Sequence, residues 1–444
     1  MSKKLLFILL MGFLLRLIAL NQSLWLDEAT TGRVVQEYGF RQIITQFSPN
    51  DFHPPLYYLL MKLWTNIFGY SEIALRMPSI AFSLLTGYLV YLLGKKLKNE
   101  ATGLWAGVFF LFNPLIVYYS QEARMYMMAT FLLTSALYAS LFQKPKYIII
   151  FVLLIFMSMF TFYGSIFFII PLLIYFLYVK RYRYFFYSIL GLLLTLPVLS
   201  PLLLRQLLHA KDSLQSVVNW TSALGKANLK NLLLIPIKFS IGRISFEPKW
   251  IYWFVSILWT GWVMFLTVKG AMKNKALLLL LIIPIVLGFI ASFITPLLSY
   301  FRFLYLVPLL SFFLASGTDI FHLKGEKWIL LMGFIVFSLF YLLNPNFHRE
   351  DWKTLSAKIP MNIPVFMIIP SSDPFTYYQK NAALIELRSV GSVPPRAKNI
   401  VVIPYTSPIY GYDYERILGE QRYRKEKTEN FRGGVNFELW KKLR

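Results

Sequence analysis

The sequence predicts a mainly α-helical, polytopic membrane protein. The expected form is a bundle of about eleven spans with the N-terminus inside and the C-terminus outside, amphipathic helices in the first outer loop, and a small α/β outer-face C-terminal domain. Three observations carry this. Of 444 residues, 57% are hydrophobic and only 15% charged, where a soluble globule carries about 25% charge. Apolar windows of roughly span length recur through the first 344 residues. Lys and Arg collect in alternate connections between those windows, as they do in cytoplasmic loops. Disorder, a coiled coil and an all-soluble enzyme are excluded. The net charge of +24 sits in short clusters between apolar runs, so it sets orientation; no nucleic-acid partner is expected. With no cysteine, disulfides, a thiolate nucleophile and Cys-ligated metal are excluded.

The chain opens with Lys3, Lys4 and an apolar run broken by Arg16. No small-residue cleavage site follows, so 4–20 reads as an uncleaved first span, with Arg16 snorkelling from its outer end. Further spans are expected at 73–94, 101–118, 124–142, 147–162, 164–179, 184–204, 250–268, 276–295, 301–317 and 328–343. The stretch 147–179 is too long for one span and short for two, so a tight hairpin near Tyr163 and Gly164 is expected. The short inner connections then hold Lys95, Lys96 and Lys98; Lys144 and Lys146; Lys180, Arg181 and Arg183; Lys269 to Lys275; and Lys324 to Lys327. Every one is basic. Dropping any single span would put basic loops outside from that point on.

Residues 1–344 thus form the membrane unit, with long outer loops at 21–71 and 205–249. Residues 345–444, with sixteen Lys/Arg and ten Asp/Glu, read as a soluble outer domain. Strands are expected at Val365–Pro370 and Asn399–Pro404, and a helix near Tyr414–Arg424.

Only eleven acids precede residue 345, so each can be weighed. Glu100 and Glu326 lie beside inner lysines, and Asp319 near an inner span end suits local pairing. Glu72 and Arg76 have the spacing of an ion pair on a helix. Asp27-Glu28 follows Trp25-Leu26 just after the first span. Adjacent carboxylates near the hydrocarbon boundary repel one another and lose hydration, which raises a pKa and suits a general base. The alternative is a helix N-terminus running to Tyr38, where acids are favourable. His53-Pro54-Pro55-Leu56-Tyr57-Tyr58 starts an amphipathic stretch to Phe68, an interfacial helix with a histidine at its mouth.

The turn Ser120-Gln121-Glu122-Ala123-Arg124-Met125-Tyr126 is more polar than a connection needs. Glu122 suits a divalent cation or an acceptor, Arg124 a phosphate, and the two also suit a mutual cap. Arg302 enters a span from outside, placed for a lipid phosphate or for snorkelling. His209 and His322 read as loop residues. No glycine-rich nucleotide loop, HExxH helix or Gly-x-Ser-x-Gly elbow is present.

Five segments together resemble the GT-C membrane glycosyltransferases, and within them the protein-mannosyltransferase-like group (family 39) with its bacterial, aminoarabinose-transferase-like relatives. They are Trp25-Leu26-Asp27-Glu28-Ala29, His53-Pro54-Pro55-Leu56-Tyr57-Tyr58, Gly69-Tyr70-Ser71-Glu72, Leu75-Arg76-Met77-Pro78-Ser79 and Ser120 to Tyr126. Further on, Glu350-Asp351-Trp352-Lys353 and Pro374-Phe375-Thr376-Tyr377-Tyr378 resemble the start of the outer domain of bacterial members; about 205–300 matches only in hydropathy.

The resemblance implies a polyprenyl-phosphate-linked sugar donor, a hydroxyl acceptor, catalysis at the outer face of the cell membrane, and inversion. It makes Asp27 the base with Glu28 as its neighbour. His53, Tyr57, Arg76, Glu122, Arg124, Tyr126 and Arg302 become the donor-phosphate and substrate-binding set. Some relatives use a divalent metal at the acid matching Glu122, but no further ligand accompanies it here, so metal dependence, like the sugar and the acceptor, stays open. A transporter or flippase of lipid-linked sugars is the alternative. Transporters place charges near the midplane, whereas here the polar groups crowd one end.

Overall fold

The computed structural model describes residues 3–217, 219, 225–321, 325–380, 382–392 and 397–443. The N-terminal part is helical: α1 (Lys3–Leu17), α2 (Leu26–Glu37), α3 (Leu56–Phe68), α4 (Glu72–Leu97), α5 (Glu100–Phe112), α6 (Pro114–Ser120), α7 (Tyr126–Ala139), α8 (Pro145–Thr161), α9 (Ile166–Tyr178), α10 (Tyr182–Ser216), α11 (Leu229–Ile241), α12 (Lys249–Met272), α13 (Lys275–Ala291), α14 (Val307–Phe321) and α15 (Glu326–Leu343).

Each of the eleven apolar windows carries a helix. Among the described residues five are long and apolar enough alone to cross a membrane, and a sixth if α5 and α6, bent by 58° at their junction, count as one. The bend has a local cause: Asn113 precedes Pro114, which cannot donate a backbone hydrogen bond. The Asn113 side chain instead caps α6 by accepting from the Leu115 and Ile116 amides. The 147–179 stretch breaks at a 3₁₀ turn, Tyr163–Ser165, between α8 and α9. Helices α4 and α5 pack closely: a Cβ on Gly94 would lie 2.8 Å from the Gly103 Cα, the close backbone approach that small residues permit.

Several expectations need correction. Arg16 does not snorkel. It is fully buried, donating to Ser83 Oγ at 2.8 Å, Gly12 O at 2.7 Å and Leu111 O at 2.9 Å. Its helix packs against α4 and α5, so these groups are nearer than any interface. Glu72 does not pair with Arg76; it meets Lys353 at 3.0 Å, because residue 353 of the C-terminal part folds back over the N-terminus of α4. The loop expected from 205 is largely helix, with α10 running to Ser216 and α11 at 229–241. His209 therefore lies in α10, while His322 and Lys324 fall outside the described residues.

The C-terminal part contains α16 (Trp352–Lys358), β1 (Val365–Met367), α17 (Asp373–Tyr378), β2 (Leu384–Glu386), β3 (Asn399–Ile403), α18 (Tyr414–Glu420), β4 (Tyr423–Asn430) and β5 (Asn436–Lys442). The sheet order is β2-β1-β3-β5-β4. Strands β2, β1 and β3 are parallel, and β5 and β4 join antiparallel. Helix α17 packs on α2. Asp373 there accepts from Thr30 Oγ1 at 2.5 Å and pairs with Arg33 at 2.6 Å. Tyr378 Oη accepts from the Leu24 amide at 2.9 Å. The sheet-bearing part thus grips the helix whose first turn carries Asp27.

Candidate active site

Successive residues on a helix point about 100° apart, and this separates the adjacent acids. Both occupy the first turn of α2. Glu28 turns inward and is 1% exposed. It accepts from Arg76 Nε at 2.8 Å and Nη2 at 2.6 Å, and from the Ala123 amide at 2.8 Å. Arg76 gives its remaining N–H groups to the carbonyls of Leu20, Gln22 and Ser23. All five of its donors are therefore used. The pair ties the end of the first apolar run, α2, α4 and the 121–125 turn into one junction, and its filled donors leave Arg76 none for a substrate. The premise of two carboxylates repelling at one spot does not hold, because only Asp27 faces open space.

Asp27 keeps 37% of its side chain exposed, and its Oδ2 lies 3.7 Å from Arg124 Nη2. Arg124 itself is held loosely. Nη1 reaches Asp27 O at 3.4 Å and Tyr58 Oη at 3.3 Å, Nη2 lies 3.4 Å from both ring nitrogens of His53, and its buried Nε has no partner among the described residues. A guanidinium with long contacts and an orphan donor is arranged to receive an oxyanion; Arg76, with every donor satisfied at 2.6–3.1 Å, is not.

Asp51 was not singled out in the sequence. It lies 3.4 Å from His53 Nδ1 and accepts from Tyr58 Oη at 2.9 Å. Burial pushes its carboxyl up, but His53 and Arg124 outweigh that and hold it below its ordinary value. The signal available was its place two residues before His53 in Asp51-Phe52-His53. Tyr57 is buried with its ring edge-on to Tyr58. Tyr126 packs among Tyr119, Phe162 and Phe301. Arg302 donates to Pro296 O at 3.2 Å and lies over the Phe301 ring, near enough to feel the charge of Asp27.

Glu122 points away from this group. Its Oε2 meets Arg349 Nη2 at 2.5 Å, and Arg349 stacks over Trp25 with 4.0 Å to the ring centroid. Burial, partly offset by Arg349, raises the Glu122 carboxyl. Among the described residues no three His, Asp or Glu side chains converge as metal ligands. Glu122, facing a cation, does not fit a divalent metal. Arg349, and Arg243 donating to Tyr118 Oη at 2.7 Å, were not singled out in the sequence.

Residues 52–204, about a third of the chain, match the family model described as dolichyl-phosphate-mannose-protein mannosyltransferase. Among solved structures, ArnT from Cupriavidus metallidurans bound to undecaprenyl phosphate superposes with a TM-score of 0.61 at 11% identity, covering 98% of this chain and 97% of that one. The chain has the GT-C glycosyltransferase fold. The Archaeoglobus fulgidus oligosaccharyltransferase in complex with Zn and sulfate aligns with a TM-score of 0.54 at 12% identity, over 96% of this chain and 72% of that one. AglB from the same organism, in complex with an inhibitory peptide and a dolichol-phosphate, gives 0.51 at 12% identity, over 95% and 72%. No curated protein matches the sequence. The family match begins after Asp27, so it does not itself speak to that residue.

Proposed function

We propose that this GT-C protein is an inverting glycosyltransferase that moves a sugar from a polyprenyl-phosphate-linked donor to a hydroxyl acceptor at the outer face of the cell membrane. The observation that carries the reading is the pairing of one open carboxylate, Asp27, with one incompletely satisfied arginine, Arg124, 3.7 Å away. Asp27 takes the proton of the acceptor hydroxyl as that oxygen attacks the sugar C1. The C1–O bond to phosphate breaks on the opposite face, so the anomeric configuration inverts. Arg124, with Arg302 and His53, receives the charge that develops on the departing phosphate. Asp51 and Tyr58 hold His53 and Arg124 in place, and Tyr57 and Tyr126 supply the aromatic wall. Glu28 and Arg76 set the position of the Asp27 turn without touching substrate.

Support for a lipid-phosphate donor comes from the family description and from the neighbours bound to undecaprenyl phosphate and dolichol-phosphate. An eleven-span topology with the N-terminus inside brings 21–71, the 121–125 turn and Arg302 to the outer side, and makes 1–344 the catalytic unit with 345–444 as an outer-face domain. The polar groups described here gather at the helix ends, an arrangement that suits transfer at headgroup level better than passage through a midplane site. The test is direct: the purified protein in lipid nanodiscs is given undecaprenyl-phosphate-linked sugars with membrane extracts as acceptor source. Release of undecaprenyl phosphate and a product of opposite anomeric configuration are expected. Translocation of the intact donor without cleavage would overturn the reading.

A further inference from the structure

The chain order of the C-terminal sheet has a consequence at the site. From β1 the chain passes to β2 on one side and then to β3 on the other, so β1 and β3 flank the switch point of the parallel part. In open α/β sheets ligands bind outside the carboxyl ends of strands at such a point. Two loops leave there: Ile368–Ser372, leading into α17 on α2, and the loop after Ile403, which carries Tyr405. They are joined by Thr406 Oγ1 donating to Ser371 Oγ at 2.8 Å.

Across this end runs the segment 349–353. It lies along the approach to α2, with Arg349 stacked on Trp25 and the Lys353 amide donating to Ser23 Oγ at 3.2 Å. Glu350 sits between these two anchors. Its Oε1 accepts from Tyr405 Oη at 3.2 Å, while its Oε2 is buried and has no partner among the described residues. Its backbone is pinned from behind. A Cβ on Gly433, which has φ +80°, would lie 2.5 Å from the Glu350 Cα, and the Asp351 amide donates to Arg432 O at 3.0 Å. Trp25, on which the neighbouring Arg349 stacks, stands two residues before Asp27, so Glu350 lies on the approach to that carboxylate. A buried carboxyl oxygen without a partner costs free energy, and a carbohydrate hydroxyl satisfies it with the chemistry it needs.

We propose that Glu350, backed by Tyr405, binds a hydroxyl of the transferred sugar, so that the C-terminal sheet supplies a specificity-determining residue to the membrane-embedded site. This rests on the glycosyltransferase reading above. Sugar and lipid phosphate are then held by different parts of the chain: the phosphate by Arg124 and its neighbours, the sugar by Glu350 and Tyr405.

The experiment compares the full-length protein in nanodiscs binding undecaprenyl phosphate with the same protein binding undecaprenyl-phosphate-linked mannose and glucose. Wild type is expected to prefer at least one sugar-loaded lipid. Glu350→Gln and Tyr405→Phe are expected to weaken binding of that lipid about tenfold or more, the loss of a hydrogen bond to a charged group, while binding of bare undecaprenyl phosphate stays at the wild-type level and shows the fold intact. If the preference survives both substitutions but transfer to acceptor falls tenfold, the hydroxyl belongs to the acceptor and the donor assignment is overturned. If neither changes, Glu350 reads no substrate. If wild type binds none of the lipids, the glycosyltransferase reading fails first and this assignment with it.

Discussion

The junction between Glu28 and Arg76 makes a quantitative prediction. Both side chains are 1% exposed, and the guanidinium spends two donors on the carboxylate and three on backbone carbonyls. Glu28→Gln keeps the shape but removes the only carboxylate bonded to a cation that cannot reach water or lose its proton. Breaking a buried pair in this way costs about 3–5 kcal/mol. The Ala123 amide loses a charged acceptor as well, worth a further 1–2 kcal/mol or so. Equilibrium unfolding in mixed micelles against a denaturing detergent measures this directly. Glu28→Gln should unfold several kcal/mol earlier than wild type, whereas the double change Glu28→Leu with Arg76→Met should recover part of the loss, since a well-packed apolar replacement leaves no orphan charge. A Glu28→Gln protein as stable as wild type yet unable to transfer sugar would refute the structural assignment and return Glu28 to the chemistry.

Further outcomes concern Arg124, Arg76 and Lys238. Arg124→Met should weaken binding of undecaprenyl phosphate by one to two orders of magnitude in a lipid-binding titration, about 1.5–3 kcal/mol for hydrogen bonds to a charged group, and Arg76→Lys should affect stability more than this affinity. Lys238 in α11, held by Ile244 O at 3.0 Å and Tyr252 Oη at 3.1 Å, has its ammonium pushed down by burial to about 8. Between about pH 8 and 10.5 the unfolded chain binds the extra proton, so stability rises with pH across that window and is lower below it. Lys238→Met should flatten this rise, worth up to about 3 kcal/mol, in unfolding measured from pH 7.5 to 10.5.

The helices were legible because a span must be long and apolar, and each window holds one. The first-loop helix was legible from Asp27-Glu28 at its start, and the α3 helix from the two prolines before it. Two of the five strands, at 365–367 and 399–403, read plainly because they are buried and apolar. Strand β4, Tyr423–Asn430, did not: its Lys, Glu and Arg residues are the polar coat of an edge strand. The site was less legible. Sequence spacing sees neighbours on one helix, so it offered Glu72 for Arg76; the true partner, Glu28, is 48 residues away on another helix. Asp51 and Arg349 were not singled out, and Glu350 stood out only within a segment of family resemblance, because nothing local marks the segments that fold against them. Arg16 was misread because an arginine near a span end has two solutions, and only packing chooses between them.

The central claim is that the open carboxylate of Asp27 removes the acceptor's proton. Single-turnover transfer from an undecaprenyl-phosphate-linked sugar, measured for wild type and Asp27→Asn at saturating donor, tests it. Loss of a general base predicts a rate about 10²–10⁴-fold lower, with undecaprenyl phosphate bound as tightly as before. An Asp27→Asn protein transferring sugar at the wild-type rate would contradict the account.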